Sequence, residues 1–252
     1  MEPILQVSGL TKTFHTKGRP DFTAVDQVSF LLYPGETVGI VGESGCGKST
    51  LAKLLCRLLD VTEGTIRLCG QDITKARGRE LFGAYRNIQM VFQDPLTSFD
   101  PRRTLGDGIG ESLRNAGVSK TERERRVVEL LEQCGLSETF AGRYPHEVSG
   151  GQCQRAAIAR ALAIKPKLLL CDEATSALDV TVQQQIMELL KELREKEKLS
   201  YLFICHNLAL VQSFCDRVLV MHEGKIVEEG TTDQVIFYPQ SDYTKILLDS
   251  IL

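Results

Sequence analysis

The sequence predicts an α/β fold: a mostly parallel β-sheet core with an N-terminal antiparallel β part and an inserted α-helical subdomain. Two observations lead to this prediction. Short β-rich runs alternate with helical stretches along most of the 252 residues, as expected for strands joined by crossover helices. A charged stretch with helical periodicity interrupts this alternation in the middle of the chain, which indicates an insertion.

The N-terminal part, 1–93, contains β-rich runs separated by glycine turns. Leucines recur at helical spacing between 51 and 59, directly after a glycine-rich loop, so the loop is predicted to join a strand to a helix. The predicted strands of this part are 4–7, 24–32, 37–41, 64–68 and 88–92.

The segment 94–148 is predicted to be the helical insertion. Its first stretch, 94–104, is rich in Pro, Asp, Ser and Thr and is predicted to be a loop. A helix is predicted over 121–136, because one face is apolar and the other carries Glu and Arg. The apolar face consists of Val127, Leu130, Leu131 and Cys134.

The α/β pattern resumes over 149–234, and 235–252 forms a short tail. The last two predicted strands of this part are expected to complete the edge of the sheet. The predicted helices are 151–163 and 180–196, and the predicted strands are 167–171, 201–205, 217–221 and 225–229.

Composition narrows the classes of function. The net charge of −3, from 30 basic and 33 acidic residues, argues against a broad surface for polyanions, although this balance leaves room for a local basic groove. No nucleic-acid partner is expected. No apolar run approaches the roughly 18 residues that span a bilayer. Residues 1–3 lack the basic and apolar regions of a signal peptide. Work at a membrane is therefore expected to need a partner that holds the chain there.

The eight cysteines are scattered singly, with no C-x-x-C pair. Several, such as Cys171 and Cys205, lie within apolar runs and are predicted to be small buried hydrophobic side chains. A reducing cytosol fits this usage.

Residues 42–49 fill every fixed position of the phosphate-binding pattern G-x-x-x-x-G-K-[ST]. The glycines let successive backbone N–H groups turn towards phosphates. Lys48 is expected to reach the β- and γ-phosphates, and Ser49 is expected to ligate Mg²⁺. The sequence thus predicts a P-loop NTPase core (RecA-like) that binds a nucleoside triphosphate with Mg²⁺. The predicted nucleotide-binding residues of the loop are Gly42, Glu43, Ser44, Gly45, Cys46, Gly47, Lys48, Ser49 and Thr50.

The apolar run 168–171 leads directly into Asp172 and Glu173. A buried strand that ends here would deliver both carboxylates at the C-terminal edge of a parallel sheet, where the sites of α/β proteins lie. Asp172 is expected to hold Mg²⁺, largely through water, and Glu173 to act as the general base for the attacking water. The alternative is that both are solvated acids that cap the next helix.

Between the loop and these acids lies the run Val148-Ser149-Gly150-Gly151-Gln152. Together with the P-loop it resembles the signature motif of the ABC-type ATPase family, usually Leu-Ser-Gly-Gly-Gln. The resemblance implies two ATPase domains packed head to tail, with Ser149, Gly150, Gly151 and Gln152 acting on the ATP of the partner. ATP would then close the pair, and hydrolysis would release it.

Smaller motifs fall where the same resemblance implies them. Gln93 matches the Q-loop glutamine that senses Mg²⁺ and water, and Asp179 belongs to the D-loop. His206 matches the switch histidine that contacts the γ-phosphate, with Asn207 where Asp is more usual. Phe14 lies where the family places an aromatic side chain that stacks on adenine; a core or surface phenylalanine is the alternative.

Three stretches, 93–102, 143–147 and 176–183, resemble the ATPases of dipeptide, oligopeptide and nickel importers. Such importers commonly pair two ATPase subunits, paralogous or identical, with two membrane-spanning permease subunits and an external solute-binding protein. The resemblance implies a peripheral position at the cytoplasmic face of the inner membrane. Tyr238-Pro239 and Tyr243-Thr244 resemble the start of a C-terminal extension found in many members, but without its cysteines, so no metal cluster is expected there.

Other classes of protein share part of this chemistry. An exporter or lipid-extruding ATPase has the same motifs, and only the importer-like stretch after Gln93 argues against it. A soluble ABC ATPase acting on nucleic acid would carry a long coiled-coil or zinc insertion, for which the segment between Gln93 and Ser149 is too short. A nucleotide kinase would lack both the signature and His206.

Overall fold

Two β-sheets, crossover helices and a helical insertion build the fold. The computed structural model describes residues 2–15, 17–18, 20–176 and 178–249. The strands are β1 (Leu5–Phe14), β2 (Phe22–Leu32), β3 (Thr37–Val41), β4 (Glu63–Leu68), β5 (Gln71–Asp72), β6 (Ile88–Val91), β7 (Leu168–Asp172), β8 (Ser200–Ile204), β9 (Arg217–His222) and β10 (Lys225–Thr231). The helices are α1 (Lys48–Leu55), α2 (Gly78–Tyr85), α3 (Leu105–Ile109), α4 (Glu111–Asn115), α5 (Lys120–Gln133), α6 (Gly150–Leu162), α7 (Val180–Glu197), α8 (Leu208–Phe214), α9 (Thr232–Phe237) and α10 (Asp242–Asp249), with 3-10 turns at Glu138–Gly142 and Pro145–Glu147.

The larger sheet has six strands in the order β10-β9-β3-β8-β7-β6. Every neighbouring pair is parallel except β10 with β9. Side chains alternate between the two faces: along β7, Leu168 and Leu170 join one apolar cluster, whereas Leu169 and Cys171 join the other. The sheet is therefore buried on both faces, which suits its almost purely apolar strands. The predicted mostly parallel core is confirmed.

The smaller sheet, in the order β2-β1-β4-β5, is antiparallel, as predicted for the N-terminal part. It shares an apolar cluster with α1 and with one face of the larger sheet. β1 continues to Phe14, well beyond its predicted end at residue 7. The prediction stopped early because Gly9, with φ of 56°, and several register shifts interrupt the alternation that signals a strand.

The predicted amphipathic helix of the insertion is α5. Ser119 caps it by accepting a hydrogen bond from the N–H of Glu122. On its exposed face Arg125 bridges Glu122 and Glu129. The predicted apolar residues are all buried: Val127, Leu130, Leu131 and Cys134.

Arg160 of α6 fastens the loop after Gln93 to the core. Its guanidinium donates to the carbonyl oxygen of Ser98 and, at 3.1 Å, to Ser98 Oγ. The same group lies 4.3 Å from the centroid of the Phe99 ring, a favourable cation–π distance. One side chain thus links α6 to the predicted 94–104 loop, which contains no helix or strand.

Most of the other predicted elements differ from the structure by one or two residues at their ends, which is the usual uncertainty of helix and strand ends. The helix after the phosphate loop stops at Leu55, although leucines continue to 59, because Arg57 adopts a left-handed φ of 54°. Short elements were missed: β5, α2, α3, α4, α8, α9 and α10. None of these helices exceeds eight residues, so helical periodicity has no room to repeat. The division of the chain at residues 93, 148 and 234 stays a prediction.

Seven of the eight free cysteines are buried, and Cys69 is half-buried. Burial raises the pKa of the Cys171 thiol to about 12, so it behaves as a small neutral side chain. The predicted role as buried hydrophobic residues is confirmed for Cys171 and Cys205, the two that were named. Over the described residues, the structure contains no helix of the length and apolar character needed to cross a bilayer.

Candidate active site

The phosphate loop connects β3 to α1 at the carboxyl end of the larger sheet. Gly42 and Gly47 have φ values of 150° and 110°. A Cβ atom at either position would lie 2.1 Å from a backbone carbonyl oxygen, that of Met221 or that of Ala24. Only glycine fits both positions, because the neighbouring backbone lies too close to the loop to leave room for a side chain. The first turn of α1 has no acidic residue, which leaves the positive helix end unneutralised at the loop.

Lys48 is held inside this loop with only 5% of its surface exposed. Its Nζ donates to the carbonyl oxygens of Gly42 and Glu43, at 2.8 Å and 2.7 Å. Because carbonyl groups carry no net charge, the ammonium keeps its full positive charge for an anion. The loop therefore combines a fixed cation with backbone N–H donors.

Ser49 and Asp172, the predicted ligands of Mg²⁺, come together. Ser49 Oγ donates to Asp172 Oδ1 at 3.2 Å. Asp172 ends β7 and is 7% exposed; burial raises the pKa of its carboxyl, Glu173 adds to the rise, and the hydrogen bond from Ser49 opposes it. A nearby cation would stabilise the ionised form of a carboxylate whose pKa is raised by burial. Hydroxyl and carboxylate oxygens are the donors that Mg²⁺ prefers, so the residues fit this metal.

The three predicted catalytic residues lie together: Gln93 and His206 both approach the carboxylate of Glu173. The φ of Glu173, 48°, lies in the left-handed region, which is strained for a residue with a side chain. Its N–H donates to the carbonyl oxygen of Ile204 at 3.0 Å, which fixes the backbone. Gln93 Nε2 donates to Glu173 Oε2 at 2.9 Å, and His206 Nδ1 lies 3.8 Å from Oε1. The strained backbone thus aims one carboxylate between an amide and an imidazole.

The residue after the histidine departs from the pattern of the family, and the structure accommodates the change. Asn207 caps α8: its side-chain oxygen accepts from the N–H groups of Ala209 and Leu210, at 3.0 Å and 3.3 Å. Asparagine and aspartate cap helices about equally well. The position of His206 at the end of β8 is therefore preserved.

The signature residues form a helix start at which Ser149 is exposed and residues 150–152 are half-buried. Ser149 Oγ accepts from the N–H of Gln152 at 3.3 Å, and Gln152 Oε1 accepts from the N–H of Ser149 at 2.9 Å. A Cβ atom on Gly151 would lie 2.5 Å from Val182 Cγ1, so a larger residue here would require Val182 to move where α6 passes α7. Across the described ranges, no hydrogen bond or ion pair joins residues 149–152 to the phosphate loop.

The D-loop lies beside the Q-loop glutamine. Asp179 caps α7 by accepting from the N–H of Val182 at 3.0 Å. Gln93 Nε2 also approaches Ser176 Oγ at 3.4 Å. The sequence places Ser176 in the D-loop motif, but its contact with Gln93 was not predicted.

A cleft of about 380 Å³ opens beside the phosphate loop. Loop residues 43–46, the start of β2 and the turn from β9 to β10 form its walls. Phe22 lines it and is 60% exposed, whereas Phe14 pairs with Phe22 across β1 and β2 and is not among the described lining residues. Stacking of adenine on Phe14 therefore stays a prediction.

Two contributions to this region were not predicted from the sequence. The turn residues 222–224 line the cleft without belonging to a motif. Tyr243 of α10 accepts a hydrogen bond from the N–H of Glu43, 200 positions away. Such contacts come from the packing of the chain and not from local patterns.

Comparison with known proteins identifies a family, relatives and a solved structure to which this chain is similar. The model of the family described as "ABC transporter" matches residues 25–176. The oligopeptide transport ATP-binding protein OppF of Bacillus subtilis is 46% identical over 99% of this chain and 83% of its own length. The dipeptide transport ATP-binding protein DppF of Lactococcus lactis is 45% identical over 98% of this chain and 81% of its own. A dimeric post-hydrolysis structure of the ATP-binding cassette MJ0796 with ADP and Pi has a TM-score of 0.83 at 31% identity, covering 90% of this chain and 98% of that one.

We expect Asp172→Asn to raise the free energy of unfolding of the nucleotide-free chain at pH 7 by about 1 kcal/mol. The amide can still accept the hydrogen bond from Ser49 but has no charge to desolvate. Burial raises the native pKa of Asp172 above its ordinary value of 3.8. The wild-type carboxyl therefore favours the native state fully below pH 3.8 and loses this advantage as the pH rises through the native pKa. Urea unfolding in EDTA at pH 7 and at lower pH measures the difference, which should shrink on acidification.

The control for this measurement is Asp107→Asn, which neutralises an exposed carboxyl on α3 and should leave the stability almost unchanged. If Asp172→Asn were less stable than the wild type at pH 7, the proposed cost of burying this charge would be refuted.

Proposed function

The chain belongs to the ABC transporter family, and on that premise we propose that it is the ATP-hydrolysing subunit of a peptide importer. One observation carries the proposal: Gln93 and His206 converge on the carboxylate of Glu173, next to the Ser49–Asp172 pair. The relatives OppF and DppF are named for oligopeptide and dipeptide transport, which supports peptides as the cargo.

The phosphate loop would bind the triphosphate of ATP. Backbone N–H groups of residues 44–50 and the N-terminus of α1 supply donors, and Lys48 places a positive charge on the β- and γ-phosphates. The carbonyl groups of Gly42 and Glu43 hold its ammonium in the loop. In this proposal Phe14 stacks on the adenine.

The oxygens of Ser49, Asp172 and Gln93 would hold Mg²⁺, with Asp172 acting largely through water. The bound ion supplies charge neutralisation on the β- and γ-phosphate oxygens. Within the chain, Asp172 carries the negative charge that this requires, and its hydrogen bond with Ser49 already brings the two side chains together.

Hydrolysis would depend on Glu173 as the general base. Its carboxylate accepts a proton from the water whose oxygen attacks the γ-phosphorus. The bond between that phosphorus and the β–γ bridging oxygen breaks, and ADP and phosphate leave. Gln93 orients the carboxylate through the 2.9 Å hydrogen bond. His206, whose Nδ1 lies 3.8 Å from Glu173 Oε1, would contact the γ-phosphate.

A second ATPase chain, a paralogue or a copy of this one, would complete each site. The start of α6 is exposed at Ser149 and offers the N–H groups of Gly150 and Gly151, a suitable arrangement for an anion. In a head-to-tail pair, residues 149–152 meet the γ-phosphate bound to the partner, and Asp179 lies at the same interface. The solved dimer of the cassette MJ0796 supports a paired arrangement.

An importer also needs two membrane-spanning permease subunits and an external solute-binding protein, with this chain attached peripherally to the membrane. A groove of about 410 Å³ between the core and the insertion suits a permease segment. Its lining includes the exposed side chains of Leu58 and Phe82, together with Phe92 and Ser98 on either side of Gln93. An occupant would thus contact apolar surface next to a catalytic residue.

We expect Lys48→Ala to weaken binding of Mg-ATP at least tenfold, because hydrogen bonds to charged groups are worth about 1.5–3 kcal/mol. Equilibrium titration of the full chain with nucleotide measures this loss. Lys53→Ala removes an exposed lysine from the same helix and serves as the control. Unchanged affinity in Lys48→Ala would count against the phosphate loop as the nucleotide site.

We expect Glu173→Gln to lower the turnover of ATP by a factor of about 100 or more, because the amide cannot take the proton of water. Nucleotide binding should remain, so ATP should accumulate in a paired state that light scattering detects as doubled mass. Glu195→Gln, which neutralises an exposed acid on α7 outside the cleft, is the control. If Glu173→Gln hydrolysed ATP at the wild-type rate, the assignment of Glu173 as the general base would be wrong.

The cargo can be tested on the complex assembled with its permease subunits and solute-binding protein in lipid nanodiscs. Binding protein loaded with di- or oligopeptides is expected to stimulate ATP hydrolysis. If a nickel chelate stimulated hydrolysis and peptides did not, the cargo would be the nickel chelate and not a peptide. Phe82→Asp should abolish the stimulation without changing the affinity for Mg-ATP, whereas Phe237→Asp, an exposed residue of α9 outside the groove, should change neither.

A further inference from the structure

The side chain of Tyr243, on helix α10, contacts the phosphate loop. The hydroxyl of Tyr243 accepts a hydrogen bond from the backbone N–H of Glu43 at 3.1 Å. The Tyr243 ring also stacks on the ring of His222, with centroids 3.8 Å apart and planes inclined by 27°. His222 ends β9 and lines the cleft beside the loop. Two contacts therefore fix the tyrosine at the edge of the nucleotide cleft.

The tyrosine is carried by a helix that is itself anchored. The carboxylate of Glu228, on β10, accepts from the N–H groups of Gln240 and Ser241 at 2.8 Å and 3.0 Å, directly before α10. Leu247 and Leu248 are buried in the apolar cluster on one face of the larger sheet. Burial raises the pKa of Tyr243 above that of an ordinary phenol, so the hydroxyl is neutral near pH 7.

Glu43 is the residue through which this contact reaches the loop. Its carbonyl oxygen accepts from Lys48 Nζ at 2.7 Å and from the N–H of Cys46 at 3.3 Å. Its N–H is the group that Tyr243 holds. Since both backbone groups of Glu43 are bound, rotation about its φ and ψ is restricted, and the place of the Lys48 ammonium follows from the orientation of Glu43.

We propose that Tyr243 is a positioning residue of the nucleotide site: by holding the N–H of Glu43, it keeps the loop and Lys48 ready for the phosphates of a nucleoside triphosphate. This inference rests on the proposed function of the loop. It makes the segment 238–249 part of the nucleotide site, although that segment contains no phosphate-binding motif. Affinity for ATP then depends on a hydroxyl that never touches the nucleotide.

Tyr243→Phe isolates the hydroxyl, because the ring and its stacking on His222 are retained. One hydrogen bond between neutral groups corresponds to a change of about fivefold in a binding constant. We expect the full chain with Tyr243→Phe to bind Mg-ATP weaker by that factor in calorimetric titration. Tyr238→Phe is the matched control, because that side chain lies in the same segment and is 74% exposed; its affinity should equal that of the wild type.

Amide hydrogen exchange distinguishes positioning from general loosening of the structure. A positioning role predicts faster exchange over residues 42–46 in nucleotide-free Tyr243→Phe, with the rest of the chain unchanged. Equal Mg-ATP affinities of the wild type and Tyr243→Phe, or faster exchange across the whole chain, would overturn the inference.

Lys48→Ala in the same titration keeps the two proposals apart. If Lys48→Ala abolishes binding while Tyr243→Phe leaves it intact, only the positioning role fails. If the wild-type chain binds no nucleotide, the proposed function fails and the positioning role fails with it.

Discussion

The shared direction of four adjacent strands is the constraint on which the candidate site depends. β3, β8, β7 and β6 lie side by side and run parallel. Their carboxyl ends therefore open at one edge of the sheet. Each strand brings one functional group to this edge: the phosphate loop follows β3, His206 follows β8, Glu173 follows β7 and Gln93 follows shortly after β6. Residues that are far apart in the chain converge because the parallel pairing of these strands places the ends of all four at the same edge.

The same edge concentrates features that oppose stability. A lysine and an aspartate are buried there, and Glu173 holds a left-handed backbone conformation. Such features persist where the surrounding structure is rigid enough to impose them. Here the rigidity comes from the apolar clusters on both faces of the sheet, which extend from β3 through β7 and β8. Packing remote from the chemistry thus keeps the Gln93–Glu173–His206 group in register.

The sequence allowed prediction of those parts of the molecule that local chemistry determines. The strand 37–41, the glycine loop and the buried strand that leads to Asp172 each follow from side chains within a few residues of the feature, and the structure agrees. The long β1 was underestimated because Gly9 interrupts its pattern. Short helices were missed because they owe their formation to tertiary packing, which outweighs propensity in segments of this length. The contact of Tyr243 with Glu43 could not be predicted, since nothing near either residue specifies it.

Both ends of α6 lie at functional parts of the molecule, and Arg160 makes a contact near its C-terminal end. The helix begins at the signature serine, and near its other end Arg160 grips Ser98 and Phe99 in the loop that follows Gln93. α6 has 13 residues, a rigid rod of about 20 Å. In the proposed pair, one end of the rod meets the ATP of the partner while the other end holds the loop that leads away from its own Gln93. Occupancy of one nucleotide site would then bias the other by a mechanical route, and thermodynamic reciprocity requires the second to bias the first equally. In the proposed pair, Arg160 would therefore connect the two ATP sites mechanically through α6.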